Sequence, residues 1–275
     1  MDLKSYIKTT KLSEGQIALF YTGQEGFIVK CNDKYVLIDG YLSDYVDKNC
    51  CSEAVKWVRK YPSPISGDEL DFIDYVFCTH AHYDHADPET LSKLGKSNKN
   101  AKFIVPNPIV DVIEGYGIEK DRIIGAYDMV DIALDGITVT PIASAHEELC
   151  ADENGEYANL GYRIDFGCVS LYHAGDCCLY DGLDEKVGNV DIAMLPVNGR
   201  SYYKLKFDDI IGNMDVYEAT RFTTIIKAKM LIPMHFDLYA VNGISTSSVV
   251  DGIESVNSDM AYHIFKPAER YIFAR

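Results

Sequence analysis

Basic residues are scarce in this chain: 26 lysines and arginines stand against 42 aspartates and glutamates, for a formal net charge of -16. A surface of that sign repels phosphate backbones, which argues against nucleic acid as a partner unless a local basic patch offsets the field. Long hydrophobic runs are missing as well. No stretch approaches the ~20 apolar residues of a membrane span, and the opening MDLKSYIKTT has no signal-peptide core. The expectation is a cytoplasmic protein without membrane contact. The eight cysteines (31, 50, 51, 78, 150, 168, 177 and 178) include no C-x-x-C pair, which speaks against a zinc finger. Reduced thiols are the default outside a secretory setting. Gly/Ser-rich, Pro-rich and low-complexity segments are absent too, so no linker divides the 275 residues.

What is present is enough apolar sequence, 47%, for a substantial core. Residues 17–21, 26–30 and 35–39 read as strands, separated by Gly23 and by Asn32-Asp33. Apolar periodicity predicts a helix over 53–59, closed by Pro62 and Pro64. Residues 71–79 read as a strand, after which Asp87-Pro88 predicts the N-cap and first position of a helix through Leu94. Further strands are expected at 101–105, 160–165, 168–173, 190–195 and 230–232, and helices at 109–114 and 214–228. Asp135-Gly136 predicts a hairpin between 129–134 and 137–142. A last pair of strands, 263–265 with 271–274, is expected across Pro267. Two strand-rich halves punctuated by helices predict an α+β fold of two mixed sheets packed together, with helices outside.

The densest chemistry lies at Cys78–Pro88, CTHAHYDHADP, where three of the chain's seven histidines and two aspartates follow a strand and precede a helix. Imidazole and carboxylate together ligate divalent cations such as zinc, manganese or iron. Three more candidate ligands each follow a strand: His146 after ITVTPIASA, Asp176 after VSLYHAG and His235 after MLIPM. His80 and His82 are two apart, so an extended backbone turns both rings to one side; Asp84 and His85 lie past the bend and can face a second position. Asp176 can bridge, because each carboxylate oxygen can serve a different metal. Ordinary polar loop residues would explain an isolated His-x-His, but not this ordered set. The expectation is a site for two divalent ions, manganese or zinc, that activates water between them. Asp84 and Asp176 are the catalytic candidates.

Other residues are weighed against plainer roles. Asp39, at a strand end before Gly40, is placed to accept from the free N–H of a ligand imidazole. Tyr83, Asn198 and Arg200 are candidates for contact with a small-molecule substrate, Arg200 as a bidentate partner for phosphate or carboxylate. His173 and His263 read as structural, and Cys177 and Cys178 as small buried residues. A homo-oligomer stays open.

The set His80-Ala81-His82-Tyr83-Asp84-His85, His146, Asp176 and His235 resembles the metallo-β-lactamase superfamily. That resemblance implies a four-layer αββα sandwich, one hydrolase domain over 1–275, with the metals at one edge. It implies His80, His82 and His146 on one metal, Asp84, His85 and His235 on the other, and Asp176 between them. The stretches GQEGFIVK (23–30), FCTHAHYDHADPETL (77–91), LPVNGR (195–200), GNMDVYEAT (212–220) and IPMHFD (232–237) are similar to the L-ascorbate-6-phosphate lactonase-like branch. Gly40 and Ala81 depart from the usual residues of that branch, and neither is a ligand. The branch implies a hydrolase that opens a small, sugar-derived lactone, phosphorylated or not, by attack of metal-activated water. The rival within enzymes is a phosphodiesterase of the RNase Z type, against which the acidic surface and the missing basic arm count. The rival of another class is a di-iron redox or sensor protein. Such proteins usually trade one histidine of the motif for a carboxylate and add a flavin domain; here His82 is kept and no chain remains for one.

Overall fold

Short apolar runs bounded by turn residues become strands buried on both faces when a sheet is covered on each side. The structure is a computed structural model that describes residues 2–275; Met1, the first residue of the expected domain, lies outside them. β1 (Gln16–Gly23), β2 (Gly26–Cys31), β3 (Lys34–Ile38), β4 (Tyr75–Phe77), β5 (Lys102–Pro106), β6 (Ile123–Ala126) and β13 (Arg270–Ala274) form one sheet, ordered β13-β1-β2-β3-β4-β5-β6. β7 (Ile132–Leu134), β8 (Ile137–Ala143), β9 (Leu160–Asp165), β10 (Ser170–His173), β11 (Ile192–Pro196) and β12 (Met230–Met234) form the other, ordered β12-β11-β10-β9-β8-β7. Both sheets are mixed: β3, β4, β5 and β6 run parallel, as do β10, β11 and β12, and the remaining pairs are antiparallel.

The period-2 alternation of strands decides what each side chain meets. Along β1, Ile17, Leu19 and Tyr21 enter the core between the sheets, where they join Val139, Ile164 and Ile192 of the second sheet. Ala18 and Phe20 point the other way, toward α1 (Leu3–Thr9), α3 (Pro88–Ser97) and α4 (Val110–Gly115), which contribute Ile7, Leu94 and Ile113. On the far face of the second sheet, α5 (Leu183–Val187), α6 (Val216–Ile225) and α7 (Thr246–Val256) bury Leu183, Phe222 and Ile253. Each such side chain contributes about 1.5–3 kcal/mol on burial. The layers are therefore helix, sheet, sheet, helix, as expected. Among the described residues no helix is long and apolar enough to cross a membrane.

Local predictions hold where one residue dictates the backbone. Asp87 caps α3 by accepting from Glu89 N at 3.1 Å, with Pro88 at its first position, and β7 and β8 pair across Asp135-Gly136. Others need correction. Residues 53–59 form no helix, because side chains of the preceding segment take their amides. Val55 N donates to Ser52 Oγ at 3.0 Å, Trp57 N to Cys51 Sγ at 3.3 Å and Arg59 N to Asp47 Oδ2 at 2.8 Å. The nearest helix is α2 (Tyr45–Asn49), just upstream. Residues 263–265 do not pair with 271–274. His263 N donates to Leu231 O at 3.0 Å, so this segment runs beside β12, and the chain then crosses to the other sheet, where β13 pairs with β1. The helix α1 carries no strong sequence signal and was not expected.

Candidate metal centre

Parallel strands deliver their C-terminal ends to one edge, and there the seven expected ligands meet. His80, His82, Asp84 and His85 occupy the loop between β4 and α3, His146 follows β8, Asp176 follows β10 and His235 directly follows β12. Three buried non-glycine residues here hold left-handed backbone: Gln24 at φ +59°, Asp39 at +44° and His235 at +59°. Such conformations cost of order 1–3 kcal/mol each and persist where the surroundings over-determine them. Gly175, at φ +60°, lets the chain pass Thr79 closely: a Cβ there would sit 2.7 Å from Thr79 Cβ.

The ligand atoms separate into two sets joined by one carboxylate. Asp176 Oδ2 lies 3.5 Å from His146 Nε2 and 4.0 Å from His80 Nε2, and His146 Nε2 is 3.2 Å from His82 Nδ1. Asp176 Oδ1 lies 3.5 Å from His85 Nε2 and 3.1 Å from His235 Nε2, while Asp84 Oδ2 is 3.6 Å from each of these two nitrogens. Donors about 2.0–2.2 Å from a tetrahedral cation stand about 3.3–3.6 Å from one another. The spacings, 3.2 to 4.0 Å in the first set and 3.1 to 3.6 Å in the second, scatter about that range. His80 Nε2 and His85 Nε2 are buried without a hydrogen-bond partner, so neither is committed to another protein group.

Neighbouring groups set the tautomers. Asp39, fully buried, accepts from Thr79 N at 2.8 Å, Thr79 Oγ1 at 2.7 Å and His85 Nδ1 at 2.8 Å. The bond to His85 puts its proton on Nδ1 and leaves Nε2 as the donor to a metal. Because the Thr79 hydroxyl gives its proton to Asp39, its oxygen accepts from His80 Nδ1 at 3.0 Å, which frees His80 Nε2 in the same way. Asn213 donates to Asp176 Oδ1 at 2.9 Å. His173 is spent elsewhere: Gly175 N donates to its Nδ1 at 3.3 Å and its Nε2 donates to Glu25 O at 2.9 Å.

Burial and mutual charge shape the protonation of the array. Burial would lower His85, but Asp84, Asp176 and Asp39 hold it well above the usual imidazole range. His235 follows the same pattern and is pushed up to about 9, chiefly by Asp176 against burial. Asp84 is held far below the carboxylate range by His85 and His235, again against burial. Burial and the crowd of neighbouring imidazoles push His80 well down, and burial lowers His146 despite Asp176. Without a cation, protons on His85 and His235 balance the carboxylates. A divalent ion would replace them. Burial pushes the Cys177 thiol up to about 12, so it offers no thiolate.

The profile of a family described as "Beta-lactamase superfamily domain" matches residues 34–236. The chain belongs to the metallo-β-lactamase superfamily. A UPF0173 metal-dependent hydrolase of Pyrococcus furiosus is 23% identical over 240 residues, covering 81% of this chain and 86% of its own. Another, from Alkaliphilus metalliredigens, is 27% identical and covers 92% and 98%. Among solved structures, Igni18 of Ignicoccus hospitalis, described as a novel metallo hydrolase, superposes with a TM-score of 0.68 at 20% identity, over 94% of this chain and 99% of that one. At that identity the likeness speaks for the fold.

In this superfamily member a cavity of about 370 Å³ opens over the ligands. His82, Asp84, His146, Asp176 and His235 form its floor, and Val46, Trp57, Tyr83, Ile210 and Ile211 its walls. Tyr83 thus lines the cavity. Asn198 is buried and reaches the cavity indirectly, donating to the lining residue Asn242 at 3.0 Å. Arg200 is not brought in: its guanidinium pairs with Glu218 and it lines a neighbouring depression with Glu147 and Tyr202. Lys204, not singled out in the sequence, instead donates to Asn242 Oδ1 at 3.2 Å. Gln24 and Glu25 were also missed. They lie between Gly23 and Gly26 in the turn from β1 to β2, a pattern that reads as an exposed hairpin tip, yet both are buried at the site.

Proposed function

We propose that this protein is a metal-dependent hydrolase that opens a small, sugar-derived lactone. The observation that carries the hydrolase reading is Asp176, whose two oxygens face separate donor sets. Two cations, manganese or zinc, would be held by His80, His82 and His146 on one side and by Asp84, His85 and His235 on the other. When bound they supply Lewis acidity and acidify water to a pKa of about 7. The names of the relatives, metal-dependent hydrolases, support the same class.

The chain's own groups would do the rest. Asp84 faces the cavity with its side chain one-fifth exposed, whereas Asp176 is 6% exposed; Asp84 is therefore the acid–base candidate. It takes the proton that water releases on attacking the lactone carbonyl and returns it to the ring oxygen, which leaves as an alcohol on the same molecule. Trp57, Ile210 and Ile211 give the cavity apolar walls beside the reacting carbonyl. The cavity volume falls in the small-molecule range of about 300–1,000 Å³. With a net charge of -16 the protein repels a phosphorylated substrate unless a local cation compensates. Lys204, at the rim through Asn242, is now the better candidate than Arg200.

The test is a panel on manganese- and zinc-loaded protein, comparing kcat/KM for phosphorylated lactones, neutral lactones and phosphodiesters, with Asp176→Ala as the control that loses metal and turnover. Lactones should win. A preference for phosphodiesters above tenfold, about 1.4 kcal/mol in transition-state binding, transfers the reading to the phosphodiesterase.

A further inference from the structure

Gln24 faces the second donor set in an orientation that a cation there would not allow. Its Nε2 stands 2.8 Å from Asp84 Oδ2 and 3.1 Å from His235 Nε2. Those are the two lone pairs that, with His85 Nε2 and Asp176 Oδ1, converge on the second position. An amide N–H aimed at both would occupy electron pairs that a bound cation needs. The two ends of a carboxamide have the same shape, and what they face decides which end points inward. With a cation in place, only the oxygen end is compatible, and it brings a lone pair of its own into the same space.

The spacings agree with a ligand. Four edges among these donors run from 3.1 to 3.6 Å, three of them at the tetrahedral spacing. Donors set at right angles around a cation at about 2.1 Å stand only about 3.0 Å apart, and the two Gln24 contacts, 2.8 and 3.1 Å, match that shorter edge. The backbone supports the placement: Gln24 is 2% exposed and holds its left-handed φ of +59° directly after Gly23. His235 N donates to Gln24 O at 3.0 Å, tying the turn to the ligand strand.

We propose that the Gln24 amide oxygen is a further ligand of the cation held by Asp84, His85 and His235, and widens the chemical difference between the two metal positions. The position beside His80, His82 and His146 has three imidazoles and one carboxylate oxygen. Its neighbour has two imidazoles and three oxygens. Hard cations such as manganese favour the oxygen-rich position, and zinc suits the imidazole-rich one. This rests on the two-cation reading above.

The experiment titrates metal-free wild-type protein, Gln24→Gly and Gln24→Glu with Mn²⁺ and Zn²⁺ against a chromogenic chelator, and records visible spectra with Co²⁺. Glycine accepts the left-handed backbone, so it removes the side chain without strain. Wild type should bind two equivalents. Gln24→Gly should weaken one of them by about tenfold or more, Mn²⁺ more than Zn²⁺, and Co²⁺ absorption should intensify as five-coordinate metal becomes tetrahedral. Gln24→Glu keeps an oxygen at the position and should bind at least as tightly as wild type. If Gln24→Glu instead loses affinity as Gln24→Gly does, the side chain acts as an N–H donor to Asp84 and the proposal falls. It falls equally if Gln24→Gly binds both ions like wild type. Fewer than two equivalents in wild type, seen before any variant is compared, would sink the two-cation reading itself and this proposal with it.

Discussion

Asp39→Asn reaches ligands of both proposed metal positions at once without altering a ligand itself. Asparagine tolerates left-handed backbone about as well as aspartate, so the φ of +44° at residue 39 survives. The carboxylate accepts three hydrogen bonds, from Thr79 N, Thr79 Oγ1 and His85 Nδ1. A carboxamide retains one acceptor oxygen and presents two N–H groups in place of the other. With the oxygen kept on Thr79 N, the NH₂ confronts Thr79 Oγ1 and His85 Nδ1. His85 then must accept at Nδ1 and carry its proton on Nε2, where it can no longer ligate. The Thr79 hydroxyl must donate toward His80 Nδ1, which drives the proton of that ring onto Nε2 as well. Losing such an orienting partner costs ten- to a hundredfold in metal affinity, about 1.4 to 2.7 kcal/mol, and here the loss falls on both positions. Competition titration with a chromogenic chelator near pH 7, with a melting curve of the metal-free variant to confirm folding, measures it. Two equivalents bound with wild-type affinity would refute the argument. A loss at the His85 position alone would break the relay through Thr79.

Proton competition and steric fit give two further tests. His235 holds its proton up to about pH 9 in the metal-free protein, so apparent metal affinity should rise about tenfold per pH unit for each proton displaced between pH 6 and 9. Because that value lies above the ordinary 6.5, the same group stabilises metal-free protein fully below pH 6.5 and loses its contribution as pH rises through 9. The metal-free Tm should fall across that window; a Tm that climbs, or a flat affinity profile, contradicts the assignment. Gly175→Ala places a Cβ 2.7 Å from Thr79 Cβ and 2.8 Å from its hydroxyl oxygen, at φ +60°. The strain and the shifted hydroxyl should cost about 1–3 kcal/mol in denaturant unfolding and weaken the His80 position; an unchanged midpoint with unchanged metal binding would show that Thr79 moves freely.

The parts of the site that were readable in the sequence are those where residue type alone restricts the chemistry. Few reasons exist to place His80, His82, Asp84 and His85 together after an apolar strand, and the strand-end positions of His146, Asp176 and His235 follow from parallel strands ending at one edge. Asp39 was readable for the same reason, being a carboxylate at a strand end. Gln24 and Glu25 were not, because a polar pair between glycines is what an exposed hairpin tip also looks like; the turn is held inward by His235 N, which donates to Gln24 O, and by His173 Nε2, which donates to Glu25 O. Arg200 misled because charge says nothing of direction, and Glu218 on α6 claims the guanidinium. Segment 53–59 misled because its apolar period is real, while its amides are taken by Ser52, Cys51 and Asp47. Segment 263–265 shows the limit of local pairing: β13 finds its partner at the other end of the chain.

Among the described residues no cysteine forms a disulfide, yet the geometry of the ligands provides for covalent-like closure of the chain. Each donor set draws on both sheets: His80 and His82 from the first with His146 and Asp176 from the second, and Asp84 and His85 with His235. A cation seated in the first set ties points 64 to 96 residues apart in sequence, and one in the second ties Asp84 and His85 to a point about 150 residues on. For a permanent cross-link of that span, the lost freedom of the unfolded chain is worth about 4 to 5 kcal/mol, a sizeable share of the 5–15 kcal/mol that holds a typical domain together. Unlike a disulfide, this clasp is reversible and its strength follows the supply of free metal. The same ions proposed to do chemistry would act as staples between the two halves of the sandwich, so a cell short of metal would be left with a looser protein as well as an idle one.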